Sequence, residues 1–122
     1  MSDEAPAVVG IAALAVDCAE PAALAGWWRR LLGGSVEVDD DGDATLHTLH
    51  APGLAIDFLR VPEAKTVKNR LHLDLRSTDL AEATEQAVAL GATRADDIYD
   101  GGRWQVMRDP EGNEFCLLRP RS

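Results

Sequence analysis

The sequence predicts an α+β fold built from two copies of one βαβββ unit, and three observations carry that prediction. Short apolar runs bounded by turn residues occur twice in the order strand, helix, three strands. Both helical stretches end in glycine, at Gly33 and at Gly91. The two halves also correspond residue by residue when they are laid over one another.

In the first half, "IAALAVDC" reads as a strand of small residues. "EPAALAGWWRRLL" reads as a helix with Pro21 at its first position and an apolar stripe through Leu24, Trp27, Trp28 and Leu31. "SVEVDD", "TLHTLHA" and "LAIDFLR" follow as strands separated by "DDGD" and "PG" turns. In the second half, "RLHLDLR" is the leading strand and Asp79 is the N-cap of the helix "LAEATEQAVAL". "TRADDIY", "RWQVMR" and "EFCLLR" complete the unit. Residues 1–122 therefore form a single domain, with module one over 8–61, a connector over 62–69 and module two over 70–120.

The overlay matches Leu14 to Leu73, Val16 to Leu75 and Glu20 to Asp79, and in the closing strands Ile56 to Phe115, Phe58 to Leu117 and Arg60 to Arg119. With the two-residue period of a strand, Leu71, Leu73, Ile56, Phe58, Phe115 and Leu117 should pack under the helices. Ala13, Asp57, His72 and Cys116 should then share the concave side of the sheet, in a polar cleft expected between the two modules. On the strand "RLHLDLR", Arg70, His72, Asp74 and Arg76 line one face. Burying such a row without partners costs several kcal/mol, so these residues either pair with one another or face a wet cleft.

Composition excludes some functions. A net charge of −9, with only "KTVKNR" as a local basic cluster, argues against nucleic acid as a partner. The apolar runs are too short to span a bilayer and lack the basic flank of a signal peptide, so no membrane association and a cytoplasmic location are expected. Cys18 and Cys116 are too few for a disulfide framework, and no CxxC pair suggests structural zinc. His47 and His50, three apart on a strand, point to opposite faces and read as surface residues. "DDDGD" lacks the closing Glu of a calcium loop and reads as a hairpin turn. At least one of Trp27 and Trp28 is core. Trp104 could wall a cleft, with Gly101-Gly102 letting its loop move.

"VKNRLHLDLR" and "DPEGNEFCLL", together with the paired βαβββ order, resemble the vicinal oxygen chelate superfamily, the group of glyoxalases, bleomycin-resistance proteins and extradiol dioxygenases. The small glyoxalase-like proteins of bacteria are more similar than true glyoxalase I. The resemblance implies an eight-stranded open cup, a homodimer whose modules pair within a chain or swap between two, and metal ligands at one position on each leading and each final strand. Those positions are Ala13, Asp57, His72 and Cys116. Ala13 has no ligand atom, and Cys116 replaces the usual carboxylate. His72, Asp57 and Cys116 would make a triad for a divalent metal such as zinc, nickel, manganese or iron.

Two functions stay open on these residues. One is a metal-dependent lyase or isomerase acting on an oxygen-rich small substrate, with His72 or Asp57 as ligand or base. The other is a metal-free protein that sequesters a drug or metabolite, recognising it through Trp104 and the row from Arg70 to Asp74.

Overall fold

The computed structural model describes residues 6–8, 10–50, 53–100 and 102–121; Pro52 of the "PG" turn and Gly101 lie outside them. Ten elements follow in order. Module one contains β1 (Ala13–Cys18), α1 (Pro21–Leu32), β2 (Ser35–Val38), β3 (Ala44–His47) and β4 (Ala55–Arg60). Module two contains β5 (Asp74–Arg76), α2 (Leu80–Leu90), β6 (Thr93–Arg94), β7 (Trp104–Arg108) and β8 (Glu114–Leu118). The βαβββ repeat is present in both halves.

Each module forms one four-stranded sheet, in the orders β1-β4-β3-β2 and β5-β8-β7-β6. The leading strand lies parallel to the last one in each. Register repeats as well: Ala15 faces Asp57 in module one, and Asp74 faces Cys116 in module two. The sheets are open, with no closed barrel among the described residues.

Local signals set the helix ends. Pro21 opens α1, and Gly33 closes it at φ 78° with its N–H donating to the Arg29 carbonyl. Asp79 caps α2 by accepting the Glu82 N–H at 2.9 Å. Gly91 ends α2 in the left-handed region at φ 112°, where a side chain would be strained.

Two strands are shorter than the sequence predicts. "RLHLDLR" pairs fully only from Asp74, although the Leu73 carbonyl still accepts the Cys116 N–H at 2.8 Å. Upstream, Glu114 draws the connector off the strand path by accepting the Asn69 N–H at 2.8 Å and pairing with Lys65 at 3.0 Å. Leu71 consequently stands 87% exposed instead of packing under the helices. "TRADDIY" is a strand only at Thr93–Arg94. It then turns, because the Ala95 carbonyl accepts the Ile98 N–H while Asp96 and Asp97 bind Gln105 and Arg108.

The modules meet through their helices, α1 packing on α2, and share one core. Leu24, Leu46, Ile56 and Phe58 enter it from module one, and Ala87, Met107, Phe115 and Leu117 from module two. Trp27 and Trp28 both pack there, edge-on to Phe115 at 5.9 and 4.8 Å. The Trp27 indole N–H donates to the Leu90 carbonyl at 2.9 Å. The "DPEGN" turn crosses back to module one, where Glu111 accepts the Ala19 and Glu20 N–H groups ahead of α1. No helix among the described residues is long and apolar enough to cross a membrane.

Cys18 ends β1 in this core, 3% exposed. Burial pushes its thiol up to about 11 from an ordinary 9.0, and the carboxylates of Glu111, Asp109, Asp17 and Asp43 add to the shift. A raised folded-state value means that the thiol's share of stability is intact below pH 9 and is lost as pH rises to 11. Urea unfolding should show wild type losing about 2 kcal/mol more than Cys18→Ala between those two pH values. Equal losses in the two proteins would contradict this.

Candidate functional site

Strand alternation builds a cleft on the outer face of module two. Along β8, Phe115 and Leu117 turn to the shared core, while Glu114, Cys116 and Leu118 turn the other way. Trp104 and Val106 of β7 share that outer face with them. The turn after β6 adds Ile98 and Tyr99, and the connector and leading strand add Lys68, His72 and Asp74. The cavity measures about 350 Å³. Ala95, Val106 and Cys116 are buried beneath Ile98, Tyr99 and Leu118, giving the cleft an apolar wall that meets a polar floor at Cys116.

His72, Asp74 and Cys116 meet on that floor, each offering one ligand atom, all within 4.8 Å of one another. His72 Nδ1 is 3.1 Å from Asp74 Oδ1 and 4.0 Å from Cys116 Sγ. Burial pushes the Cys116 thiol up to about 11; the Asp74 charge and hydrogen bond act in the same direction and Lys68 opposes them. Without a metal, Cys116 is therefore a thiol at neutral pH and a poor nucleophile.

Glu114 is a structural part of the cleft. Burial alone would push its carboxyl up, but the Asn69 N–H and the Lys65 ammonium outweigh burial and hold it below the ordinary range. Arg108 Nε approaches it at 3.5 Å. The same guanidinium grips Asp97 through two bonds of 3.0 and 2.8 Å, pinning the turn that carries Tyr99.

Of the residues singled out in the sequence, His72, Asp74, Cys116 and Trp104 come together here. Asp57 and Ala13 do not line this cleft. They belong to the sheet of module one, where Asp57 accepts the Thr45 hydroxyl hydrogen bond at 2.6 Å. Arg70 is exposed and also lies outside the lining. His47 and His50 are surface residues.

Tyr99, Lys68 and Ile98 were not evident from the sequence. A signal for Tyr99 existed: it and Trp104 flank "DGGR", a stretch whose composition favours a chain reversal. They stack with centroids 4.0 Å apart and planes 5° from parallel.

Two open four-stranded sheets, each with its leading strand parallel to its last, are the fold of a solved glyoxalase/bleomycin resistance/dioxygenase family enzyme. Residues 13–118 match the Glyoxalase-like domain, and the chain belongs to that family. No curated protein matches the sequence.

Several solved structures share the fold. A mutant of the fosfomycin resistance protein FosX from Listeria monocytogenes, complexed with Mn(II) and 1S,2S-dihydroxypropylphosphonic acid, is 13% identical with a TM-score of 0.70, covering 91% of this chain and 90% of its own. A glyoxalase/bleomycin resistance protein/dioxygenase family enzyme from Burkholderia phytofirmans PsJN is 16% identical with a TM-score of 0.69, over 88% and 96%. TnmS3, an antibiotic binding protein from Streptomyces sp. CB03234, is 15% identical with a TM-score of 0.67, over 95% and 99%.

Proposed function

We propose that the protein binds a small molecule in the cleft of module two and holds it without a metal. The observation that carries this reading is the cleft itself, an apolar wall that includes Trp104 together with a short polar floor, the usual build of a small-molecule site. The antibiotic-binding neighbour on the same fold supports it. A metabolite screen by thermal shift should find ligands whose NMR shift changes map to His72, Trp104 and Val106. A screen with no hit, or hits mapping elsewhere, would overturn the reading.

The cluster of His72, Asp74 and Cys116 favours a second reading, a metal-dependent lyase or isomerase, as does the Mn(II)-bound neighbour. The donor set fits a divalent ion. Ligand atoms of tetrahedral zinc lie roughly 3.3–3.8 Å apart, so the present spacing closes with side-chain adjustments of about 1 Å or less. His72, Asp74 and Cys116 would hold the ion, leaving open positions for substrate oxygens. Such a metal would polarise a carbonyl. Titration of the stripped protein with zinc should then show binding that weakens ~10-fold or more in His72→Ala. Equal zinc affinity in the two proteins would remove this reading.

The homodimer fits the same cleft. Its lining comes from module two and the connector, and Ile11, Val67 and Leu71 stand 77%, 75% and 87% exposed near the leading strands. A second copy would cover them. Sedimentation should give twice the chain mass, and Leu71→Glu should reduce it to one.

A further inference from the structure

The chain has six aromatic residues, three Trp, one Tyr and two Phe. Four of them, Trp27, Trp28, Phe58 and Phe115, are buried in the shared core. The other two, Tyr99 and Trp104, stand together on the wall of the cleft, outside the shared core.

The geometry of that pair is unlike the rest. All core pairs meet edge-on, with interplanar angles of 64° to 82°. Tyr99 and Trp104 instead stack, 5° from parallel with ring centroids 4.0 Å apart. Their surroundings hold them there. Asp96 accepts from Gln105 at 3.0 Å and Asp97 from Arg108, tying the turn that carries Tyr99 to β7, which Trp104 begins. Trp104 remains 36% exposed, leaving a rigid flat π surface open to the cleft.

A cation stands on the same cleft. Lys65 spends its charge on Glu114 at 3.0 Å, but among the described residues the Lys68 ammonium makes only a long 3.4 Å contact, to the Asn69 carbonyl. Its charge is thus available to an anion entering the cleft.

Resting on the reading of the cleft as a ligand site, we propose that the ligand is a planar aromatic molecule carrying an oxyanion such as a carboxylate. Its ring lies against the Tyr99–Trp104 stack, and its oxyanion meets Lys68. The pinned aromatic surface selects flat ligands because the stack does not have to be ordered on binding.

Three probes separate the terms by NMR titration: 2-naphthoate, neutral 2-naphthylmethanol and cyclohexanecarboxylate. Naphthoate should bind in the cleft ~10-fold more tightly than either of the others. Trp104→Leu should weaken naphthoate by about tenfold, with Tyr99→Leu as a second variant and far-UV CD confirming that both fold. Lys68→Gln should bring naphthoate down to the level of the alcohol and leave the alcohol unchanged. Near-UV CD should show the coupled Tyr99–Trp104 signal altered by both naphthyl probes, by naphthoate at the lower concentration, and not by cyclohexanecarboxylate. Cyclohexanecarboxylate binding in the cleft as tightly as naphthoate, or naphthoate affinity unmoved by either aromatic variant, would overturn the aromatic class and leave the cleft a ligand site. No binding by any probe would overturn the inference; the cleft itself falls only if the metabolite screen also finds nothing there.

Discussion

Phe115→Ala should cost about 3–5 kcal/mol, a large part of the roughly 5–15 kcal/mol that holds a domain of this size. Phe115 is 1% exposed and contacts both Trp28, at 4.8 Å and 65°, and Trp27, at 5.9 Å and 64°. It stands on β8 of module two, and both indoles stand on α1 of module one, so the substitution opens a cavity on the surface that joins the modules. Two edge-on contacts are lost as well, each about 0.5–1.5 kcal/mol beyond the buried area. Phe115→Leu refills most of the volume and should lose about half as much. Urea unfolding followed by tryptophan fluorescence checks both. Phe58→Ala, at an equally buried site in module one, supplies the comparison: it should destabilise to a similar degree while shifting native indole emission less. Phe115→Ala within about 0.5 kcal/mol of wild type would show that the modules are held together elsewhere.

The repeat was legible because it rests on local signals that survive in each copy. Pro21 and Gly33 bound one helix, Asp79 and Gly91 the other, and the alternation of Ile56 with Phe58 and of Phe115 with Leu117 sets the buried faces. The overlay of Ala13 on His72 and of Asp57 on Cys116 agrees with the observed register, since Ala15 and Asp74 occupy equivalent places opposite Asp57 and Cys116. Symmetry of sequence, however, carries no information on how the modules are set against each other. Their contact runs through Trp27, Trp28 and Phe115, so the cleft with His72, Asp74 and Cys116 belongs to one module. Asp74 joins His72 because they are two apart at the start of one strand, a neighbour relation that the alternation already held. The exposure of Leu71 was not legible, because it depends on Glu114, more than forty residues away, capturing Lys65 and Asn69. A strand pattern read from neighbours cannot register a competing acceptor at that distance.

Asp109→Ala is expected to cost about 3 kcal/mol, through hydrogen bonds and not through volume. Asp109 is 4% exposed and its carboxylate is fully used. Oδ1 accepts the Glu111 and Asn113 N–H groups, each at 2.9 Å, which folds the "DPEGN" turn. Oδ2 accepts the Trp28 indole N–H at 3.0 Å and the Asn113 amide at 3.0 Å, which fastens the turn to α1. Removing the carboxylate leaves the buried indole N–H without its acceptor, at about 1–3 kcal/mol, and loosens the turn that presents Glu111 to the Ala19 and Glu20 N–H groups. Asp109→Asn keeps the shape but turns one acceptor into a donor facing the Trp28 and Asn113 donors, so it should recover only part of the loss. A double-mutant cycle isolates the link between modules. Trp28→Phe keeps an aromatic ring against Phe115 and deletes the N–H, so its coupling with Asp109→Ala should be about 1.5–3 kcal/mol, the range for a hydrogen bond to a charged acceptor. A coupling near zero would mean that Asp109 serves the turn alone and that the aromatic contacts with Phe115 carry the union of the two modules.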